Sequence, residues 1–162
     1  MTIAVGDTLP AVTLFEMGED GPGPVASADV FAGKKVAVFG VPGAYTPTCH
    51  MKHMPSFVEH AAALKAKGVD DIVCLSVNDP FVMGAWGEST GATAAGLTML
   101  ADAASEFTKA IDMDFDAPPV GLMARSKRYA MLVDDGTVTL FQEEENPGVC
   151  EVSAGEGLLA SM

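Results

Sequence analysis

The chain has 162 residues, a formal net charge of -13, 49% hydrophobic residues and 19% charged ones. These values fit one globular domain over residues 1–162, large enough to bury roughly 70% of its unfolded surface, and they exclude a disordered chain. So acidic a composition speaks against nucleic acid or an anionic membrane as partner, because both need a basic face.

No apolar run approaches the roughly 20 residues that cross a bilayer. The opening Met1-Thr-Ile-Ala-Val-Gly-Asp7 lacks the basic-then-apolar plan of a signal peptide, so a cytoplasmic protein is expected. The three cysteines, Cys49, Cys74 and Cys150, are odd in number and widely spaced, with no C-x-x-C. That pattern is neither a disulfide framework nor a structural zinc site.

In chain order, Pro10 to Glu16 alternates apolar and polar residues and predicts a strand with one exposed face. Gly18 to Pro24 reads as a Gly/Pro loop. Ser27 is placed to cap a short helix from Ala28 to Phe31 that stops at Gly33. Val36 to Val41 is continuously apolar and predicts a strand covered on both faces. After Cys49 comes helical spacing at Phe57, Val58, Ala61, Ala62 and Leu64, interrupted by Pro55, so a kinked or divided helix ending at Gly68 is expected.

Ile72 to Val77 is the next buried strand. Asp79 and Pro80 then form an N-cap and first helical position, with Phe81, Val82, Ala85 and Trp86 as the apolar face. Thr98 to Ala101 predicts a short strand, Ser105 to Ile111 a short helix, and Asp112 to Ala124 an irregular stretch. Tyr129 to Val133 and Thr137 to Gln142 flank Asp134-Asp135-Gly136, a hairpin signal. Ser153-Ala-Gly-Glu156 has the spacing of a capping box for a last helix. Alternating strands and helices followed by a hairpin imply an α/β fold, a central mixed β-sheet flanked by helices.

Chemistry concentrates in Val41-Pro-Gly-Ala-Tyr-Thr-Pro-Thr-Cys-His50, where a strand gives way to a helix. A thiol in a helix's first turn faces free backbone N–H groups and the positive end of the helix dipole, which favour an anion. Taken alone, Cys49 is also compatible with small apolar filler. Both arginines of the chain, Arg125 and Arg128, lie in Arg125-Ser-Lys-Arg-Tyr129 at a strand entrance. Arg125 and Lys127 equally fit a solvated turn, whereas Arg128 adjoins the apolar strand. A guanidinium about 4 Å from the sulfur would favour the thiolate by about 4 kcal/mol at an effective dielectric near 20, before desolvation. His50, His53 and His60 raise the question of a metal, but Pro55 disturbs the helix between His53 and His60, and no metal is expected. Cys74 sits inside an apolar strand run and reads as core.

Pro42-x-x-x-Thr46-x-x-Cys49 resembles the active-site pattern of the peroxiredoxins, and the fuller string from Val41 resembles their type II (atypical, redoxin-domain) class. The likeness continues through Leu75-Ser-Val-Asn-Asp-Pro-Phe-Val-Met-Gly-Ala-Trp86 and Arg125 to Val133, and so covers nearly the whole chain. It implies a thioredoxin-like fold and a thiol peroxidase without metal, haem or flavin. By that resemblance Cys49 is the peroxidatic cysteine, Thr46 donates through its hydroxyl, Pro42 shields the thiolate, and Arg128 is the active-site arginine. His53, one turn beyond Cys49, is expected to line the substrate pocket. The substrates implied are hydrogen peroxide and organic hydroperoxides, and a homodimer is common in the family. The segment after Cys150 resembles members recycled by glutathione and glutaredoxin. The alternatives are Cys150 as resolving cysteine with thioredoxin as reductant, or a peroxide sensor or redox relay.

Overall fold

The structure, a computed structural model, describes residues 2–162. A hairpin of β1 (Thr13–Gly18) and β2 (Gly21–Ala26) leads through α1 (Ser27–Phe31) to β3 (Lys35–Val41). A π-type turn, Cys49–His53, opens α2 (Met54–Ala66). Then follow β4 (Asp71–Ser76), α3 (Pro80–Ser89), β5 (Leu97–Ala101) and α4 (Glu106–Ala110). A separate ribbon of β6 (Asp114–Ala117) and β7 (Leu122–Ser126) precedes β8 (Tyr129–Asp134), β9 (Thr137–Glu143) and α5 (Gly155–Ser161). Seven strands form one sheet in the order β2-β1-β5-β4-β3-β8-β9. Its centre, β5-β4-β3, is parallel, and the strands on both sides are antiparallel.

The period of two along each strand decides which face a residue joins. In β3, Ala37, Phe39 and Val41 enter the core under α2, α3 and α5, while Val36 and Val38 enter the core under α1 and α4. In β4, Ile72 and Cys74 take the first side and Val73 and Leu75 the second. Both faces being covered is why these runs are apolar without a break. Phe39 and Phe57 stack at 4.0 Å between centroids and join α2 to the sheet. Each such ring contributes roughly 1.5–3 kcal/mol through burial. Gly155 lets α5 lie against the α2 backbone, since a side chain there would collide with the Ser56 carbonyl. Its N–H donates to Ser56 Oγ at 2.9 Å.

Five local expectations are corrected. Gly18 to Pro24 is not a loop: β2 pairs with β1 from Gly18↔Gly21 to Thr13↔Ala26. It is an edge strand, where Pro22 and Pro24 can leave one side without donors. Asp112 to Ala124 contains the β6–β7 ribbon, paired at Phe115↔Arg125 and Ala117↔Leu122 across a bulge. Pro118-Pro119 forms its connecting turn and masked the short alternation of Asp114-Phe-Asp-Ala117. Ser27 caps nothing, because its hydroxyl donates to the Pro10 carbonyl and accepts from Val12 N–H. Ser153 is likewise no cap, its hydroxyl donating to Glu144 Oε1. In α3 the buried residues are Pro80, Met83, Trp86 and Gly87, and Phe81 is 64% exposed.

The expected Asp79 cap is present, accepting from Val82 N–H at 2.8 Å. The β8–β9 hairpin turns at Asp135 and Gly136, both at positive φ, as a two-residue hairpin turn requires. No helix among the described residues is long and apolar enough to cross a membrane.

Candidate active site at the carboxyl ends of the parallel strands

β3 ends at Val41, residues 42–46 form a loop, and Pro47 and Thr48 begin the helical turn that delivers Cys49. Asn78, just beyond β4, ties that loop to the sheet. Its Oδ1 accepts from Ala44 N–H at 3.0 Å and from Ser76 Oγ at 2.6 Å. Gly43 carbonyl accepts from both Thr46 N–H and Thr46 Oγ1, which folds the loop tightly around Tyr45, held at φ 65. Arg125 Nη1 donates to the Pro42 carbonyl at 3.2 Å, so this arginine belongs to the loop's support and not to a solvated turn. Lys127 does lie at the surface, 3.9 Å from Glu143.

From Cys49 the helical segment runs in π register: Met54 N–H reaches back to the Cys49 carbonyl. Pro55 has no N–H for the carbonyl one α-turn earlier, at Met51, and the widened turn absorbs that break in the ladder. Cys49 is 0% exposed. β8 runs antiparallel to β3 with Tyr129 opposite Gly40. The entrance of β8 therefore lies at the exit of β3, bringing residue 128 beside residue 49 from 79 positions away in sequence.

Arg128 is 2% exposed, and its donors are held in three directions. Nη2 donates to Cys49 Sγ at 3.0 Å, Nη1 to His53 Nδ1 at 2.9 Å, and Nε to the Pro147 carbonyl at 2.9 Å. Among the described residues no carboxylate forms an ion pair with it. A buried cation without a partner is costly. Of the three groups bonded to it, only the Cys49 sulfur can carry a negative charge. At 3.0 Å and an effective dielectric near 20 a thiolate gains about 5 kcal/mol from the guanidinium before desolvation.

His53 does not line the cleft, which corrects the expectation of a substrate contact. Its ring is fully buried between Phe39 and Phe57, and both nitrogens are occupied. A guanidinium only donates, so Nδ1 accepts from Arg128 and the proton sits on Nε2, donating to the Ser153 carbonyl at 2.8 Å. Burial, followed by the Arg128 charge, pushes its pKa down to about 3. His50 takes another direction, Nδ1 accepting from the Trp86 indole N–H at 3.0 Å. His60 Nδ1 bonds the Ser56 carbonyl at 2.8 Å. The three histidines thus have separate partners, and among the described residues no cluster of three or more His, Cys, Asp and Glu is placed to hold a metal.

Thr46 also differs from expectation. Its hydroxyl proton goes to the Gly43 carbonyl at 2.7 Å and not to the sulfur. Thr46, Pro42, Arg128 and Pro147 line a cleft of about 520 Å³, whose opposite wall is Phe115 and Leu122 of the β6–β7 ribbon. Cys74 is buried in β4, where loss of solvent pushes its thiol up. Cys150 opens instead on a second hollow with Lys52, Glu59 and His60. Burial pushes its thiol up to about 11, with Arg128 working in the other direction and Glu144 adding to the rise. All three cysteines are free thiols here.

Sequence reasoning missed the loop after β9. Pro147 carbonyl receives Arg128, Gly148 carbonyl receives Thr48 Oγ1, and Ser153 carbonyl receives His53. Glu144 folds that loop by accepting from Glu151 N–H, Ser153 N–H and Ser153 Oγ. Asn78 was a readable signal, a polar residue directly after an apolar strand; the three carbonyls left none.

The chain matches the Redoxin family over residues 4–159. It is 48% identical over 163 residues to peroxiredoxin-2E-2, chloroplastic, of Oryza sativa, covering 98% of this chain and 72% of that one. It is 45% identical to peroxiredoxin-2B of Arabidopsis thaliana, covering 99% of this chain and 98% of the other. Among solved structures, reduced Prx3 of Vibrio vulnificus in complex with H2O2 superposes with a TM-score of 0.92 at 46% identity, covering 99% of each chain.

Proposed function

The chain belongs to the redoxin family as a peroxiredoxin, a thiol peroxidase with a thioredoxin-like fold, and from that premise we propose that Cys49 is its peroxidatic sulfur. The observation that carries the assignment is the buried Arg128 guanidinium, bonded to Cys49 Sγ at 3.0 Å with no carboxylate among the described residues paired to it. The sulfur is oxidised in one displacement. The thiolate attacks one oxygen of R–O–O–H, an S–O bond forms as the O–O bond breaks, and the departing RO⁻ takes a proton to leave as alcohol or water. The product on the protein is a sulfenic acid.

Charge moves from the sulfur to the leaving oxygen, so a fixed cation along that path stabilises the transition state. Arg128 has five N–H groups and uses three in bonds to protein atoms; the remaining two serve the peroxide. Thr46, with its own proton held by Gly43, offers lone pairs that accept the peroxide's O–H. Pro42 covers the loop side without competing donors. The apolar wall at Phe115 and Leu122 accommodates the R group of an organic hydroperoxide, and hydrogen peroxide needs no such contact.

Recycling is assigned to an external thiol, glutathione with glutaredoxin. One thiol displaces water from the sulfenic acid to give a mixed disulfide, and a second thiol releases Cys49. Two features support this over Cys150 as resolver. Its thiol is pushed up to about 11, leaving little thiolate near neutral pH, and its loop is tied down by Glu144. Exposed apolar side chains at Tyr45, Phe81, Val120 and Met123 support a homodimer. The test is peroxide turnover of wild type, Cys49→Ser and Cys150→Ser, with glutaredoxin/glutathione and with thioredoxin as donors. Cys49→Ser is expected to abolish turnover with both, and Cys150→Ser to retain glutaredoxin-supported turnover. Retained turnover in Cys49→Ser refutes the nucleophile; loss in Cys150→Ser with Cys49 oxidation intact moves the reductant to thioredoxin.

A further inference from the structure

His53 is spent on no step of the reaction described above, yet its ring is fully buried and both of its nitrogens are bonded. Its ring sits 5.0 Å from Phe39 and 5.6 Å from Phe57 between centroids, and each nitrogen has one partner. The partners are complementary: Arg128 can only donate and the Ser153 carbonyl can only accept. A neutral imidazole, with one acceptor and one donor, satisfies both. An imidazolium would turn a second donor toward Arg128. A carboxylate would accept from Arg128 more strongly than imidazole does, through a charge-assisted bond.

We propose that His53 is a positioning residue that fixes the Arg128 guanidinium with an uncharged acceptor, so that Cys49 remains the only anion the guanidinium meets. The proposal rests on Cys49 being the reactive sulfur and deepens it. One N–H of Arg128 must be satisfied on the side away from the cleft to prevent the fork from rotating off the sulfur. Asp or Glu would also accept there, but either would neutralise the guanidinium from behind. Imidazole provides the bond without the charge. The depressed pKa of His53, about 3, agrees with a ring that stays neutral near pH 7.

The experiment uses the full-length protein in a Cys150→Ser background, comparing His53 with His53→Gln, His53→Glu and His53→Leu. Two rates are read: alkylation of Cys49 by iodoacetamide, and its single-turnover oxidation by hydrogen peroxide, each at pH 7 and pH 9. Gln keeps an acceptor for Arg128 and a donor for Ser153, and is expected to stay within threefold of His53 in both rates. Glu is expected to slow both at least tenfold at pH 7, recovering to within threefold at pH 9, where mass action favours deprotonation of any thiol. Leu, which fills the space but accepts nothing, is expected to slow peroxide oxidation at least tenfold.

Equal rates for Glu and Gln at pH 7 overturn the role of neutrality. A Glu deficit that persists at pH 9 overturns it as well, since a packing defect has no reason to vanish with alkali. Should His53→Glu not fold, Gln against Leu decides, and equal rates for those two overturn the positioning role. A wild-type Cys49 inert to peroxide refutes the nucleophile itself, an outcome visible before any His53 variant is compared.

Discussion

Cys49 and Cys150 both lie in the field of Arg128, yet the same guanidinium meets the two sulfurs in different ways. At Cys49 it touches the sulfur, and no carboxylate among the described residues is paired with it. At Cys150 its influence is outweighed by burial, with Glu144 and Glu156 adding negative charge, and the thiol is pushed up to about 11. Burial alone does not separate the two sites, since Cys49 is the more buried. What separates them is the company of the cation: contact with one sulfur, and carboxylates around the other. The guanidinium is also aimed at Cys49 by two other acceptors, the Pro147 carbonyl and His53 Nδ1, whereas Cys150 rides on a loop shaped around a carboxylate.

Removing the shared cation should break the contrast most strongly. Arg128→Met keeps length and apolar volume but deletes the charge. If half of the roughly 5 kcal/mol attraction survives desolvation, the loss is about 2.5 kcal/mol, or about 70-fold in Cys49 alkylation at pH 7. Cys150, never in contact with the guanidinium, should slow far less. Rates for the two sulfurs by mass-resolved alkylation give the comparison; a change under threefold at Cys49 would remove Arg128 from the account.

Glu144→Ala attacks the contrast from the other side. It strips three donors of their acceptor, Glu151 N–H, Ser153 N–H and Ser153 Oγ. The cost should be about 2 kcal/mol of stability, given the price of buried donors left unpaired. The released loop should expose Cys150, whose raised value comes first from burial, and should loosen the Pro147 and Ser153 carbonyls that hold Arg128 and His53. Alkylation should therefore speed up at Cys150 and slow at Cys49. Urea unfolding and the same alkylation assay measure both effects, and movement of the two sulfurs in one direction would refute the linkage.

These two regions were unequally legible in the sequence. The Cys49 turn is local: strand, Pro42, Thr46, Cys49 and Pro55 follow one another within 14 residues, and each signals its place through its own chemistry. Arg128 was reachable because arginine is scarce in this chain and because the residue stands at a strand entrance. Its support was not. A backbone carbonyl such as Pro147 or Ser153 has no residue identity to betray it, and three such acceptors organise the site. His53 shows the limit of periodicity. Its spacing of four from Cys49 places it on the same side of the helix, but only tertiary packing turns the ring toward Phe39 and away from the cleft. The β6–β7 ribbon was hidden for the same reason, its strands being too short to show a period before their pairing is known.

The buried imidazole makes one further difference measurable, and the smallest. His53 titrates near its ordinary 6.5 when unfolded and near 3 when folded, because burial and then Arg128 disfavour the charged ring. Between those values the unfolded chain binds a proton that the folded chain does not, so acid favours unfolding. The contribution is complete above about pH 6.5 and is lost as pH falls toward 3, at no more than about 1.4 kcal/mol per pH unit. Carboxylates add their own slope in the same range, so wild type alone is ambiguous. His53→Gln removes this proton while keeping an acceptor for Arg128, and its unfolding free energy should fall less steeply between pH 6.5 and 4.5. Urea titrations at half-unit steps give the difference. Parallel slopes would mean that the ring takes up its proton without leaving Arg128, and the neutral acceptor on which the Cys49 side of the contrast depends would have to be abandoned.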